Sequence, residues 1–286
     1  MKRFARLYTE LDQTNRTSEK VAALVSYFQE TPPRDAAWAL SFLCGRRLPR
    51  AVGAAELRQW AAEEAGFAQW LVNECYDTVG DLAETIALLL PPPQSSLALQ
   101  LHAAVEERLL PLRSLPAQER RKMVVRTWRE LNNAERFVWN KIVTGAFRVG
   151  VAQTLVARAL ASVAGVEQAV MTHRLMGEWQ PSEADYRRLL GGEDTGSDAR
   201  PYPFFLASPL EGEPSALGAP DEWQFEWKWD GIRAQLLRRG GGTLVWTRGD
   251  ELVGPAFPEI TAAAQALPEG TVLDGEILAW KDGAPE

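Results

Sequence analysis

The chain is poor in the residues that tie small folds together. Of its 286 residues two are cysteine, Cys44 and Cys75, and two are histidine, His102 and His173. That supply cannot build a disulfide framework or a Cys/His zinc site, and both cysteines sit among apolar neighbours where packing is their expected role. Long apolar runs are missing too. The greasiest stretch, Thr85 to Leu90, stops at Pro91, Pro92 and Pro93, far short of the ~20 residues that span a bilayer. Met1, Lys2, Arg3 and Phe4 lead directly into helical periodicity without a signal-peptide core, so a cytoplasmic protein without a membrane segment is expected. With 46% hydrophobic and 24% charged residues, disorder is excluded on composition, and the length predicts at least two cores.

The net charge of -7 is unevenly spread. Residues 1 to 200 hold 25 basic against 24 acidic side chains, and residues 201 to 286 hold 6 against 14. Between Arg113 and Arg158, ten basic residues (Arg113, Arg120, Arg121, Lys122, Arg126, Arg129, Arg136, Lys141, Arg148, Arg158) face only Glu119, Glu130 and Glu135. A local excess of that size suits a polyanion, the alternative being a solvated helix face.

The first 190 residues read as successive helices, with apolar positions every three or four residues. Phe4, Leu7, Tyr8 and Leu11 make one stripe, and Thr31-Pro32-Pro33 opens a helix that Gly45 stops before Arg46, Arg47 and Arg50. Further helices are expected over Ala55–Glu64, Phe67–Tyr76, Asp81–Leu90, Ser96–Leu110, Pro116–Leu131, Glu135–Val143, Ala152–Val163 and Ser182–Leu190, with no internal repeat evident. Glycines and five prolines between Gly191 and Asp221 mark a boundary. The expected organisation is a helical domain over 1–195, a linker over 196–221 and a sheet domain beginning at 222. Its expected strands are Gln224–Trp229, Ile232–Arg238, Thr243–Arg248 and Thr271–Trp280, with Gly240 to Gly242 as a hairpin turn.

The chemistry concentrates in Glu226-Trp227-Lys228-Trp229-Asp230-Gly231-Ile232-Arg233. As a strand, this segment would point Trp223, Phe225, Trp227 and Trp229 to one face and Gln224, Glu226, Lys228 and Asp230 to the other. A lysine on such a platform can be made nucleophilic towards phosphorus by desolvation or neighbouring cations. Asp230-Gly231 would turn the chain so that Arg233 returns to the same place. Thr247-Arg248-Gly249-Asp250 supplies another arginine suited to a phosphate or sugar hydroxyl. Leu273-Asp274-Gly275-Glu276-Ile277 sets two carboxylates in an apolar strand, where burial would require a partner, metal or ligand.

At these residues the sequence resembles the covalent nucleotidyltransferases, and specifically the ATP-dependent DNA ligases. Their Lys-x-Asp-Gly-x-Arg signature stands as Lys228, Asp230, Gly231 and Arg233, with a glutamate upstream at Glu226. Thr247-Arg248 and Asp274-Gly275-Glu276 resemble the next two elements, in order. Upstream, Asn140-Lys141 and Thr144-Gly145-Ala146-Phe147-Arg148-Val149-Gly150-Val151 resemble the glycine-punctuated turn of the family's helical DNA-binding domain, and Gly80 to Thr85 resembles another helix start there.

The resemblance implies an α+β multidomain fold, an all-helical DNA-binding domain followed by the start of a mixed α/β adenylation domain. Lys228 would attack the α-phosphorus of ATP, Glu226 would read adenine, Arg233 and Arg248 would contact ribose and phosphates, and Glu276 would hold the ribose and is the candidate near metal. Asp230, Gly231 and Asp274 would support that turn and strand, and Lys141, Gly145, Arg148 and Gly150 would contact DNA. The implied cofactors are ATP and Mg²⁺, and the implied partner is nicked double-stranded DNA in repair, replication and recombination. The family's later elements do not occur before Glu286, so a portion not fully active alone is expected. Against this stand a non-enzymatic helical DNA-binding module, a capping or RNA-joining enzyme, which leaves the helical residues unexplained, and an NAD-dependent ligase, whose nicotinamide module the sequence lacks.

Overall fold

The computed structural model describes residues 1–286 apart from 94–97, 167, 193–200, 206–207, 249–251, 282–283 and 286, and only the backbone of 169, 173, 284 and 285. The chain divides into two compact units: Met1–Met171 with Trp179–Glu193, and Thr172–Glu178 with Asp194–Glu286.

The first unit is helical. Helix α1 (Lys2–Asp12) buries Phe4, Leu7, Tyr8 and Leu11, the stripe expected from their spacing. It is followed by α2 (Thr17–Glu30), α3 (Pro33–Leu43), α4 (Ala54–Ala65), α5 (Gln69–Val79) and α6 (Leu82–Leu89). Helix α7 (Leu101–Ala103) then runs on as a π turn over Ala104–Leu109 and a 3₁₀ turn over Leu110–Arg113. The helix expected over Ser96–Leu110 therefore starts later, at Leu101; residues 94–97 lie outside the described residues. After it come α8 (Ala117–Glu130), α9 (Asn133–Val143), α10 (Gln153–Ala164) and α12 (Glu183–Gly191), while α11 (Gln168–Met176) begins in this unit and from Thr172 onward belongs to the second. Rings of Phe4, Phe42 and Phe147 meet at centroid distances of 5.5 to 6.1 Å, joining α1, α3 and the turn after α9 in one core.

The expectation of no internal repeat is overturned by the helix positions. Helix α2 begins at Thr17 and α8 at Ala117, both 14 residues long, and α3 begins at Pro33 and α9 at Asn133, both 11 long. Helices α4 and α10, and α6 and α12, keep the same spacing to within a residue or so. Packing between the halves is reciprocal: α6 lies on α9 and α12 on α3, α10 on α2 and α4 on α8, α1 on α9 and α7 on α3. Exchange of this kind is what a two-fold axis produces, whereas a simple translation would pack each half on the next in one direction only. Side-chain identity hides it, because equivalent core positions share little beyond burial, as Phe28 and Trp128 or Leu40 and Asn140 illustrate.

The second unit is built on an antiparallel sheet of β1 (Ile232–Arg239), β2 (Gly242–Thr247) and β3 (Val272–Ile277), in the order β2-β1-β3. Gly240 and Gly241 both take positive φ, +59° and +72°, as a two-residue hairpin turn between right-twisted strands requires. Helix α13 (Pro258–Ala264) packs on β2, and β4 (Trp280–Lys281) pairs with β5 (Ala284–Pro285). The strand expected over Gln224–Trp229 is absent. Among the described residues no strand supplies a ladder to this segment, so alternation of side chains alone does not hold it in a sheet.

Candidate functional site

Three residues stand in a row across the sheet. Arg233 on β1 faces Glu276 on β3, and the backbone N–H of Arg248 donates to the Arg233 carbonyl at 3.1 Å, one step past the Ala234–Thr247 pair. Residues opposite each other share a sheet face, so Arg248, Arg233 and Glu276 project together, with Gln235 and Asp274 two places along. Arg233 Nε donates to Asp274 Oδ1 at 2.6 Å. Buried Gln235 donates Nε2 to Asp274 Oδ2 at 3.4 Å and to the Tyr202 carbonyl at 3.0 Å. The hydrogen bond to Asp274, then the charges of Asp274, Glu276 and Glu226, hold the Arg233 guanidinium above its ordinary pKa.

The two carboxylates are not buried in apolar surroundings as expected. Asp274 is exposed and Glu276 half-buried, and each has a polar partner, since Glu276 Oε1 accepts from the Gly231 N–H at 3.1 Å. Their strand lies at the sheet's edge, where polar side chains stay in reach of water. A Cβ on Gly231 would meet the Ile277 carbonyl at 2.3 Å, so this glycine is required by the close approach of the two backbones.

Lys228 and Glu226 lie in the irregular segment before Gly231, and both are exposed. The aromatic platform expected beneath them is not formed: Phe225 is 77% and Trp227 84% exposed. Trp227 touches Trp229 and Trp229 touches Trp280, at 6.4 and 6.1 Å between ring centroids. Arg233, Arg248, Asp274 and Glu276 are thus brought together on one sheet face, with the Gly231 N–H on Glu276, while Lys228, Glu226 and Asp230 lie in the exposed irregular segment that precedes β1. Gly249 and Asp250 lie outside the described residues. As for metal, no group of three His, Cys, Asp or Glu side chains able to hold an ion occurs among the described residues, and Asp274 is already committed to Arg233.

In the helical unit the basic run is largely spent. Arg120 pairs with Glu56, Arg121 with Glu63, Lys122 with Glu119, Arg126 with Glu130, Arg129 with Glu64 and Lys141 with Asp81. Arg136 is buried against the carbonyls of Trp128 and Pro91. Three of the ten, Arg113, Arg148 and Arg158, have no carboxylate partner among the described residues.

The turn after α9 keeps one of them free. Gly145 and Gly150 take φ of +69° and +58°, the left-handed region that favours glycine. Tyr8 Oη donates to the Arg148 carbonyl at 2.9 Å and Lys20 Nζ to the Gly150 carbonyl at 2.7 Å, which fixes the backbone while the Arg148 side chain stays in solvent. Sequence reading missed Tyr8 and Lys20, more than 100 residues away along the chain and without a local signal. Lys141 turns inward, 13% exposed, to Asp81, the N-cap of α6 that also accepts from Glu84 N–H at 3.0 Å. The helix start at Gly80 to Thr85 is therefore capped by its own carboxylate.

Burial raises the pKa of Asp81, but the hydrogen bonds from Lys141 and Glu84 outweigh it and hold the carboxyl below its ordinary range. A depressed pKa contributes stability above the unfolded value, near 4, that is lost as pH falls through the folded value. Melting temperatures between pH 5 and 2 are expected to fall less steeply for Asp81→Asn than for the parent chain; parallel curves would show that the pair does not contribute.

Comparison with known proteins follows the same division. The profile described as DNA ligase N terminus matches residues 1–161, and that described as ATP dependent DNA ligase domain matches residues 204–285. A probable DNA ligase of Koribacter versatilis (strain Ellin345) is 28% identical over 94% of this chain and 48% of its own length. One from Anaeromyxobacter sp. (strain Fw109-5) is 32% identical over 80% of this chain and 47% of its own. A DNA ligase of Methanosphaerula palustris is 30% identical over 51% and 27% respectively. The helical residues and the sheet residues thus both match domains of DNA ligases. Within that class, the chain belongs to the ATP-dependent DNA ligase family, and it spans about half the length of the first two relatives.

Proposed function

We propose that this chain provides the duplex-holding helical part and the nucleotide-accepting start of a ligase that seals nicks in double-stranded DNA with ATP. The observation that carries the reading is the cross-strand row of Arg248, Arg233 and Glu276, with Gly231 closed onto Glu276 directly after Lys228. In this reading Lys228 Nζ, having lost a proton, forms a bond to the α-phosphorus of ATP as the bond to the pyrophosphate oxygen breaks. Arg233 and Arg248 offset phosphate charge, Glu276 takes ribose hydroxyls and Glu226 the adenine amino group. The 5'-phosphate oxygen of a nick then displaces the lysine from AMP, and the adjacent 3'-hydroxyl displaces AMP. Mg²⁺ would enter on the phosphate oxygens of ATP; the site residues make no metal cage, and no step is assigned to the ion. We place the protein in the cytoplasm, acting on DNA in repair, replication or recombination.

Incubation with α-labelled ATP and MgCl₂, in a full-length ligase carrying these residues, is expected to leave acid-labile label on the protein and to pass it to nicked DNA on chase. DNA capture with no label under any condition would favour a non-enzymatic DNA-binding module.

For the helical unit, Arg148 is proposed as the phosphate contact, with Gly145 and Gly150 shaping the turn and Lys141 positioning it through Asp81. Arg148→Ala is expected to weaken binding to unrelated duplexes equally and to make the log–log salt slope shallower by about 1. A change in sequence preference with an unchanged slope would remove Arg148 from the backbone surface.

A further inference from the structure

Gln235 is the one buried polar side chain of the second unit among the described residues, 3% exposed. An amide at that depth is costly unless its donors and acceptor are used. Its Oε1 accepts from the Tyr202 N–H at 2.8 Å and its Nε2 donates to the Tyr202 carbonyl at 3.0 Å. A single side chain thus pairs with both backbone groups of one residue, the bonding that a neighbouring strand would otherwise supply. Tyr202 stands between Pro201 and Pro203, which have no N–H, and a residue before proline is biased towards extended backbone. No strand pairs with residues 201–205 among the described residues, so the Gln235 amide is what holds this segment by its backbone. Arg239, four residues along β1 on the same face, grips the ring: its Nη2 donates to Tyr202 Oη at 2.8 Å and its guanidinium lies 5.2 Å from the ring centre.

The same amide reaches the arginine row. Gln235 Nε2 also donates to Asp274 Oδ2 at 3.4 Å, while Arg233 Nε donates to Asp274 Oδ1 at 2.6 Å. A donor on each oxygen sets the plane of the Asp274 carboxylate, and with it the direction of the guanidinium tied to it. The side chain of Asp274 is 32% exposed. Without the second donor its soft terminal torsion is open, and Arg233 loses a fixed aim. The two Nε2 hydrogens of Gln235 are shared between the Tyr202 carbonyl and Asp274, so releasing Tyr202 also frees the amide to turn away from Asp274.

Resting on the reading of Arg233 as a phosphate contact for ATP, we infer that Gln235 is a positioning residue that makes the seating of residues 201–205 a condition for aiming Arg233. Gln235 touches no nucleotide in this scheme. It acts through Asp274, and Tyr202 acts through Gln235, so a segment some thirty residues before β1 in the chain bears on how tightly ATP is held.

The test measures label captured from α-labelled ATP against ATP concentration, in a full-length ligase carrying these residues. It compares Gln235→Met, Tyr202→Gly, Asp274→Ala and the pair Gln235→Met/Asp274→Ala, with circular dichroism as the check on folding. Methionine keeps the length of Gln235 without its amide. Tyr202→Gly removes a half-exposed ring and leaves Gln235, Asp274 and Arg233 in place, so it decides the matter even if Gln235→Met does not fold. Gln235→Met and Tyr202→Gly are each expected to raise the ATP concentration for half-maximal labelling about tenfold, with the label at saturation unchanged, as loss of a binding contact does. A side chain that only supports the fold lowers the amount of label and leaves that concentration where it was. The pair is expected to match Asp274→Ala alone, because both changes act through one carboxylate. If the parent takes label and Tyr202→Gly keeps its half-maximal concentration, or if the effects of the pair multiply, the positioning role is refuted and the ligase reading stands. If the parent takes no label, both fail.

Discussion

Lys228→Ala is expected to remove covalent AMP capture, by at least about a thousandfold as befits loss of a nucleophile, while binding to nicked DNA stays unchanged. Lys228 is the only lysine between Lys141 and Lys281. Lys141 is tied to Asp81 in the helical unit and cannot stand in for it. Lys281 needs a control, because Trp280 beside it contacts Trp229 beside Lys228. Lys281→Ala should therefore keep the label and Lys228→Ala lose it, and peptide mapping of the acid-labile adduct separates the two. Label retained in Lys228→Ala and lost in Lys281→Ala would transfer the chemistry to the neighbouring lysine. Lys228 is exposed and the segment around it carries no ladder, so on the proposed role its activation would come from groups that gather around bound nucleotide, Arg233 and Arg248 of the sheet row among them.

What the sequence could reveal about this site followed the range of each interaction. The Gly240–Gly241 turn is set within a few residues, and the strands on either side appear where alternation placed them. The row of Arg248, Arg233 and Glu276 was legible as types but not as a row, because register depends on pairing between strands some forty residues apart. Alternation failed at Gln224–Trp229 for the converse reason, since the pattern was present and the facing strand was not. In the helical unit, helices were legible from apolar spacing, but charge was misleading. Arg121 and Lys141 look like a polyanion surface until the fold brings Glu63 and Asp81 from about 60 residues away. The internal two-fold escaped notice because equivalence survives in helix lengths and glycine positions rather than in side-chain identity.

Trp128→Ala is expected to destabilise the helical unit by about 3–5 kcal/mol, among the largest single effects available, because Trp128 is fully buried and its removal leaves a cavity. It also strands a polar group, since Trp128 Nε1 donates to Asn140 Oδ1 at 2.9 Å and Asn140 is itself buried. The equivalent positions in the other half, Phe28 and Leu40, are buried and wholly apolar. The same two slots are thus filled once by a hydrogen-bonded pair and once by hydrocarbon. Breaking one side of such a pair costs about 1–3 kcal/mol for the unsatisfied partner, while replacing both sides with apolar groups of similar shape can be nearly neutral. Trp128→Phe alone and Asn140→Leu alone should each lower the urea midpoint, followed by circular dichroism at 222 nm, and the double variant should recover most of the loss. A double variant as unstable as the sum of the two singles would mean that the slots differ in shape, and the internal two-fold would then stop at the helices and not reach the packing of the core.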